Sequence, residues 1–213
     1  GDDVSNVTSN NLVAATITGN DLVSVDVTGV LDPNATTADK LGPQLDFSSQ
    51  GDLESVKLAG KIYSTSIATN GNLTSVTISG IVQNAISIDG NSDLTTVTLT
   101  GSTASGITIN NNSDLETLTV DTTFAAGISS AGVVATTGIN GSVIITDNES
   151  LETLTVSSDK IETLTVTGND DLTTIDFTGV ATFGATAKPT VNIYDNDLTA
   201  TKLTDTVDVV LTP

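Results

Sequence analysis

The stretch that decides the fold is NSDLTTVTLTG, residues 91–101. It opens with Asn91, places Leu94 three residues later, then alternates apolar Val97 and Leu99 with Thr96, Thr98 and Thr100 before closing on Gly101. Alternation of period two sends successive side chains to opposite faces, so Val97 and Leu99 face one way and the threonines the other. The pattern recurs along the chain. Its copies are NSDLETLTVD (112–121, with Leu115), GNLTSVTISG (71–80, Leu73), GDLESVKLAG (51–60, Leu53), NESLETLTVS (148–157, Leu151), DKIETLTVTG (159–168, Ile161), NDDLTTIDFTG (169–179, Leu172), NDLVSVDVTG (20–29, Leu22) and NNLVAATITG (10–19, Leu12).

The marker residues are spaced by 10, 31, 20, 21, 21, 36, 10 and 11. The intervals of 20 and 21 define a basic coil and those of 10 and 11 define half-coils. Between the copies lies a second short apolar run: QLDFSSQ (44–50), STSIATN (64–70), AISIDGN (85–91), GITINNN (106–112), SVIITDN (142–148) and TVNIYDN (190–196). Each coil therefore holds two short strands joined through Asn, Asp and Gly, residues that accept the left-handed backbone of a sharp corner. No ten-residue stretch shows helical periodicity. The predicted fold is an all-β, single-domain β-solenoid spanning 1–213, of about ten coils and about 45–50 Å long at the usual strand spacing. A β-sandwich is the alternative, with strands every 8–12 residues. The leucine-marked repeat and the lack of regular two-residue hairpin turns favour the solenoid.

GNLTSVTISG and NDDLTTIDFTG resemble the turns of receptor L-domain and leucine-rich-repeat solenoids, in which an Asn precedes Leu-x-x-apolar-x-apolar. The cysteine caps and the tryptophan of those families are missing and the repeat is shorter. Across the whole chain the Thr-, Asp- and Ala-rich style resembles bacterial surface-layer proteins and other large secreted surface proteins. That resemblance implies a structural role at the cell surface.

Composition narrows the function. The chain has 39 threonines, 26 acidic residues, six lysines and no Arg, His, Cys, Met or Trp, for a formal charge of −20. Nucleic acid is excluded as a partner, because phosphate binding needs Lys and Arg to displace counterions. Docking on an anionic membrane is disfavoured for the same reason, and no apolar run of 18 residues inserts into one. Absence of oxidisable side chains suits an extracellular life. The chain begins at Gly1, as expected of a processed or excised piece. Catalysis is not expected: a nucleophilic triad lacks its His, zinc lacks its ligands, and no phosphate-cradling Gly-rich motif is present. Paired carboxylates, the remaining option, have no arginine or aromatic platform to hold a sugar.

Three stretches are expected to leave the coil as loops: 30–44 with Pro33 and Pro43, the Gly/Ala-rich 122–141, and 180–189. Both ends, DDVSNVTSNN and TDTVDVVLTP, read as strands without caps. Val4, Val7, Val207, Val209 and Leu211 are the candidate assembly residues, since weakly capped solenoid ends favour head-to-tail stacking of the chain on itself. Calcium is the candidate cofactor. Asp21, Asp52, Asp89, Asp93, Asp114, Asp147, Asp170, Asp171, Asp195 and Asp197 fall where turns of successive coils should stack, and hard cations take carboxylate and carbonyl oxygens.

The expected function is a structural subunit of an extracellular self-assembling filament or surface layer. A spacer or adhesive module of a larger adhesin, with cell-surface glycans as partners, is the alternative. A second alternative is an ice-binding solenoid, from the outward pairs Thr16/Thr18, Thr98/Thr100 and Thr165/Thr167, with Asp26, Lys57, Asp121 and Asp176 expected to interrupt that face. Sequons at Asn6, Asn34, Asn72 and Asn148 are of the number expected by chance in so Thr- and Asn-rich a chain.

Overall fold

In the computed structural model, the alternating runs become strands that stack one above another. The structure describes residues 14–16, 23–27, 44–82, 84–103, 106–124, 141–158, 161–177, 190–196, 198 and 200–202. The strands follow the chain as rungs. The first contains β1 (Ala14–Thr16) and β2 (Ser24–Val27), and the second β3 (Gln44–Ser48) and β4 (Ser55–Leu58). Next come β5 (Lys61–Ile62), β6 (Ser64–Ala68) and β7 (Ser75–Ile78), then β8 (Ile81–Val82), β9 (Ile86–Asp89) and β10 (Thr96–Leu99). They are followed by β11 (Ser102–Thr103), β12 (Gly106–Asn110) and β13 (Thr117–Phe124). The last rungs are β14 (Gly141–Thr146) with β15 (Thr153–Ser158), β16 (Ile161–Asn169) with β17 (Thr174–Asp176), and β18 (Thr190–Asn196) with β19 (Ala200–Lys202).

Two parallel stacks result. Sheet I runs β1-β3-β6-β9-β12-β14-β16-β18, and sheet II runs β2-β4-β7-β10-β13-β15-β17-β19. All pairings among the described residues are parallel, which rules out the sandwich of hairpins and bears out the solenoid. The described rungs number eight. Seven steps at the parallel-strand spacing make a stack of roughly 34 Å. Motif copies at half-coil spacing share a rung: Ile161 opens β16 of sheet I, and Leu172 leads into β17 of sheet II.

A third line of pairing was not expected. The two-residue strands β5, β8 and β11 stack on one another, and β11 pairs with the far end of β13. They lie at the corner where sheet II turns toward sheet I. Gly60, Gly80 and Gly101 occupy this corner in successive rungs. A Cβ on Gly80 would overlap the Gly60 carbonyl oxygen and lie 2.9 Å from its carbonyl carbon, and one on Gly101 would lie 2.8 Å from the Gly80 carbonyl carbon. The closing glycine of the motif is thus required by close backbone approach.

The interior is aliphatic. Along the coil from β7 through β8 to β9, the side chains of Leu73, Val76, Ile78, Val82, Ile86 and Ile88 are all buried, and equivalent positions are filled in neighbouring coils. Among the described residues, Phe47 and Phe177 contribute the buried aromatic rings. A thin interior between two facing sheets leaves room for branched aliphatics and little else. Most of the expected loop stretches 30–44, 122–141 and 180–189 lies outside the described residues. At their edges Gln44 opens β3, Thr122 to Phe124 complete β13, and Gly141 opens β14. Across the second stretch the register holds, with β12 pairing β14 over its full length.

Candidate functional site

The corner where sheet I passes into sheet II carries the acidic turns, and its geometry is set by asparagine. Asn70, Asn91, Asn112, Asn148 and Asn169 are fully buried, each three residues before the buried marker leucine of its coil. They form one continuous hydrogen-bonded ladder. In each step the backbone N–H and the Nδ2 of one asparagine both donate to the Oδ1 of the next. The distances are 3.1 and 3.0 Å from Asn70 to Asn91, 3.1 and 3.0 Å from Asn91 to Asn112, and 3.1 and 3.1 Å from Asn112 to Asn148. The chain continues from Asn148 to Asn169 and from Asn169 to Asn196. Each Nδ2 also donates to a carbonyl of the preceding rung, as from Asn112 to Ile88 O at 3.2 Å, and those of Asn91, Asn112, Asn148 and Asn169 donate to the carbonyl two residues back, as from Asn112 to Asn110 O at 2.9 Å. A buried amide is costly unless its groups are paired; here the side chain pairs on both sides.

The residue before each ladder position adopts the left-handed conformation. These are Ser49, Thr69, Gly90, Asn111, Asp147 and Gly168, with φ between 53° and 65°. A sharp corner therefore precedes each asparagine and turns its side chain inward. Gln50 holds the equivalent position in the second rung. Its N–H donates to Asn70 Oδ1 at 2.8 Å and its Nε2 to Ser48 O, while its buried Oε1 has no partner among the described residues.

The ladder places the acidic turn residues in columns. Two residues beyond the ladder stand Asp52, Asn72, Asp93, Asp114, Ser150 and Asp171 in successive rungs; one residue beyond, Glu149 and Asp170 are neighbours. Glu116 and Glu152 follow their leucines in adjacent rungs, linked by a backbone bond from Glu152 N to Glu116 O of 3.3 Å. Asp52, Asp93, Asp114, Asp147, Asp170 and Asp171 are exposed. Asp89 is half-buried at the end of β9, and its Oδ1 accepts from Asn110 Nδ2 at 2.8 Å. Asp21 and Asp197 lie outside the described residues, as do the assembly candidates Val4, Val7, Val207, Val209 and Leu211. Asp195 falls within β18.

The stacking brings carboxylates into like-charged neighbourhoods but builds no cage. Among the described residues no three acidic side chains converge as a metal-holding group. What the corner does chemically is lock register: a slip of one residue would break the amide pairs and turn the buried leucines outward. A crevice lined by Ile78, Gly80, Val82, Ile86, Leu99, Gly101 and Thr122 is too narrow to admit water.

Reading the sequence motif by motif missed the ladder, although its signal was present. The short runs QLDFSSQ, STSIATN, AISIDGN, GITINNN, SVIITDN and TVNIYDN each end on a ladder residue. Comparison of the chain with family models, with characterised proteins and with solved structures returned no match.

Proposed function

We propose that this chain is a structural subunit of an extracellular filament or surface layer, built by head-to-tail stacking of its coils. The observation that carries the reading is the repetition of one pairing scheme through to the outermost described rungs. Among the described residues β1 and β2 at one end, and β18 and β19 at the other, are each paired on one side only. Parallel strands that carry unpaired backbone groups accept a further strand. A rung of one copy added to the last rung of another is a heterologous contact, and such contacts propagate without closing.

The ladder gives that addition a direction. Every oxygen points toward the previous rung to accept, so the amides form a polar chain with distinct ends. A stack that extends it joins unlike ends. The charge of −20 keeps free subunits apart by mutual repulsion, which salt or a divalent cation along the acidic corner relieves. Calcium enters the reading here, as a screening partner of stacked carboxylates.

Sedimentation velocity over a range of protein concentrations, with calcium and with a chelator, tests the proposal. Growth of fast-sedimenting species with concentration, enhanced by calcium, is the expected result. A single monomeric boundary under all conditions contradicts it.

A further inference from the structure

The structure sorts the outward threonines differently from the sequence reading. Thr16, Thr165 and Thr167 belong to sheet I, whereas Thr98 belongs to sheet II, so the expected pairs do not share a face. A different array takes their place on the outer face of sheet II. Ser75 and Thr77 of β7, Thr96 and Thr98 of β10, Thr117 and Thr119 of β13, and Thr153 and Thr155 of β15 stand in two columns across four consecutive rungs. Their register is unbroken: Thr77 lies against Thr98, Thr98 against Thr119 and Thr119 against Thr155.

The charges expected to interrupt this face lie at its margins. Lys57 is one rung beyond Thr77, with Asp26 one rung further and paired to it at 3.7 Å. Asp176 is one rung beyond Thr155. Asp121 stands on the same outer face of β13, the next outward position after Thr119 and against Ser157 of β15, so it borders the second column without entering it. A chain with 26 acidic residues among 213 thus keeps eight adjacent outward positions free of charge.

We propose that this array binds ice. Rungs repeat at about 4.8 Å and outward residues along a strand at about 6.6 Å, both within roughly a tenth of the oxygen repeats of hexagonal ice. The two columns are therefore a grid of hydroxyls spaced close to a water lattice over four rungs. Threonine suits this contact. Its branched Cβ holds χ1 stiff, so hydroxyl positions are set before contact, and each hydroxyl both donates and accepts, as lattice water does. The neutrality of the array matches a neutral crystal face, whereas a carboxylate there would orient water around itself. The face lacks aromatic rings to stack on a saccharide, and the net charge opposes pairing of two copies through it. It runs along the stack and stays open when rungs add at the ends.

The test grows ice slowly through a dilute solution of the full chain and measures the fraction carried into the ice, together with thermal hysteresis. Thr119→Lys sits at the centre of the array; Thr165→Lys places the same charge on the outer face of sheet I. Wild type and Thr165→Lys are expected to enter the ice and show hysteresis, with both lost in Thr119→Lys while its circular dichroism is retained. Should Thr119→Lys not fold, Thr98→Asp makes the same comparison. Exclusion of the wild type from ice overturns the proposal, as does a Thr119→Lys chain that partitions like wild type. So does a wild type that stays in the liquid while Thr119→Lys alters its sedimentation, since the face is then an interface between copies.

Discussion

Replacing Asn112 by alanine puts the ladder to its most searching test. Asn112 Oδ1 accepts from both Asn91 N–H and Asn91 Nδ2, at 3.1 and 3.0 Å, and its own Nδ2 donates to Ile88 O, Asn110 O and Asn148 Oδ1. Alanine removes all five. Asn91 Nδ2 keeps its bonds to Ile67 O and Asp89 O, and Asn148 Oδ1 keeps the bond from Asn112 N–H. The Asn91 N–H does not, and a buried donor stranded in this way costs about 1–3 kcal/mol, with about 0.5–1.5 kcal/mol for each weakened neighbour. The expected loss is about 4 kcal/mol, a large fraction of the stability of an ordinary domain. Denaturant unfolding followed by circular dichroism measures it, with Asn72→Ala as control, because Asn72 is exposed and donates only to Gly51 O at 2.8 Å. Asn91→Ala combined with Asn112→Ala should cost less than the sum of the two, since they share bonds. A loss below about 1 kcal/mol, or no greater than that of Asn72→Ala, would refute a stabilising ladder. Asn112→Asp adds a pH handle. Burial pushes the introduced carboxyl's pKa above its unfolded value. The deficit relative to the native chain is therefore smallest in acid and widens as pH rises through the raised folded pKa.

Other substitutions test separate parts of the account. Gly80→Ala should destabilise by about 2 kcal/mol or more through its clash with the Gly60 carbonyl, whereas Gly71→Ala, with nothing near its Cβ, should be close to neutral. Thermal melting of the pair checks the contrast. Thr65 takes an interior position filled by Ile86 in the next rung, and its buried hydroxyl has no partner among the described residues; Thr65→Val should raise stability by about 1 kcal/mol in denaturant titration. Asp93 and Asp114 occupy one exposed column in adjacent rungs, so Asp114→Asn should raise the melting temperature at low salt and lose the advantage as sodium chloride screens the repulsion. An effect unchanged by salt would point away from like-charge stacking.

The parts of this fold that were legible in sequence are those governed by alternation and by repetition. Val97 and Leu99 face inward and Thr96 and Thr98 outward as period two requires, and the interval of 21 between Leu73 and Leu94 is the length of a coil. The ladder was hidden because a left-handed corner and a buried amide column call for overlapping residue types. Asn111 and Asn112 look alike in sequence, yet one supplies the positive φ and the other the buried side chain. Even the corner rule was looser than composition implied, since Ser49 and Thr69 also hold the left-handed conformation. Strands of two residues, such as β8, are too short to show periodicity and exist because the glycine corner holds successive backbones together. The threonine face was misassigned for a related reason: motif copies at half-coil spacing sit on opposite sheets, so threonines equivalent in sequence point to different sides. Of the acidic candidates, Asp52, Asp93, Asp114, Asp147, Asp170 and Asp171 lie along one corner, and among the described residues no three acidic side chains converge.

The central claim is that rungs continue from one subunit to the next, and imaging assembled material at a resolution that separates rungs tests it most directly. The account predicts an uninterrupted spacing of about 4.8 Å along the fibre axis through each subunit junction, with both sheets continuing in parallel. Subunits joined side by side, or separated by a gap in that spacing at each junction, would contradict it.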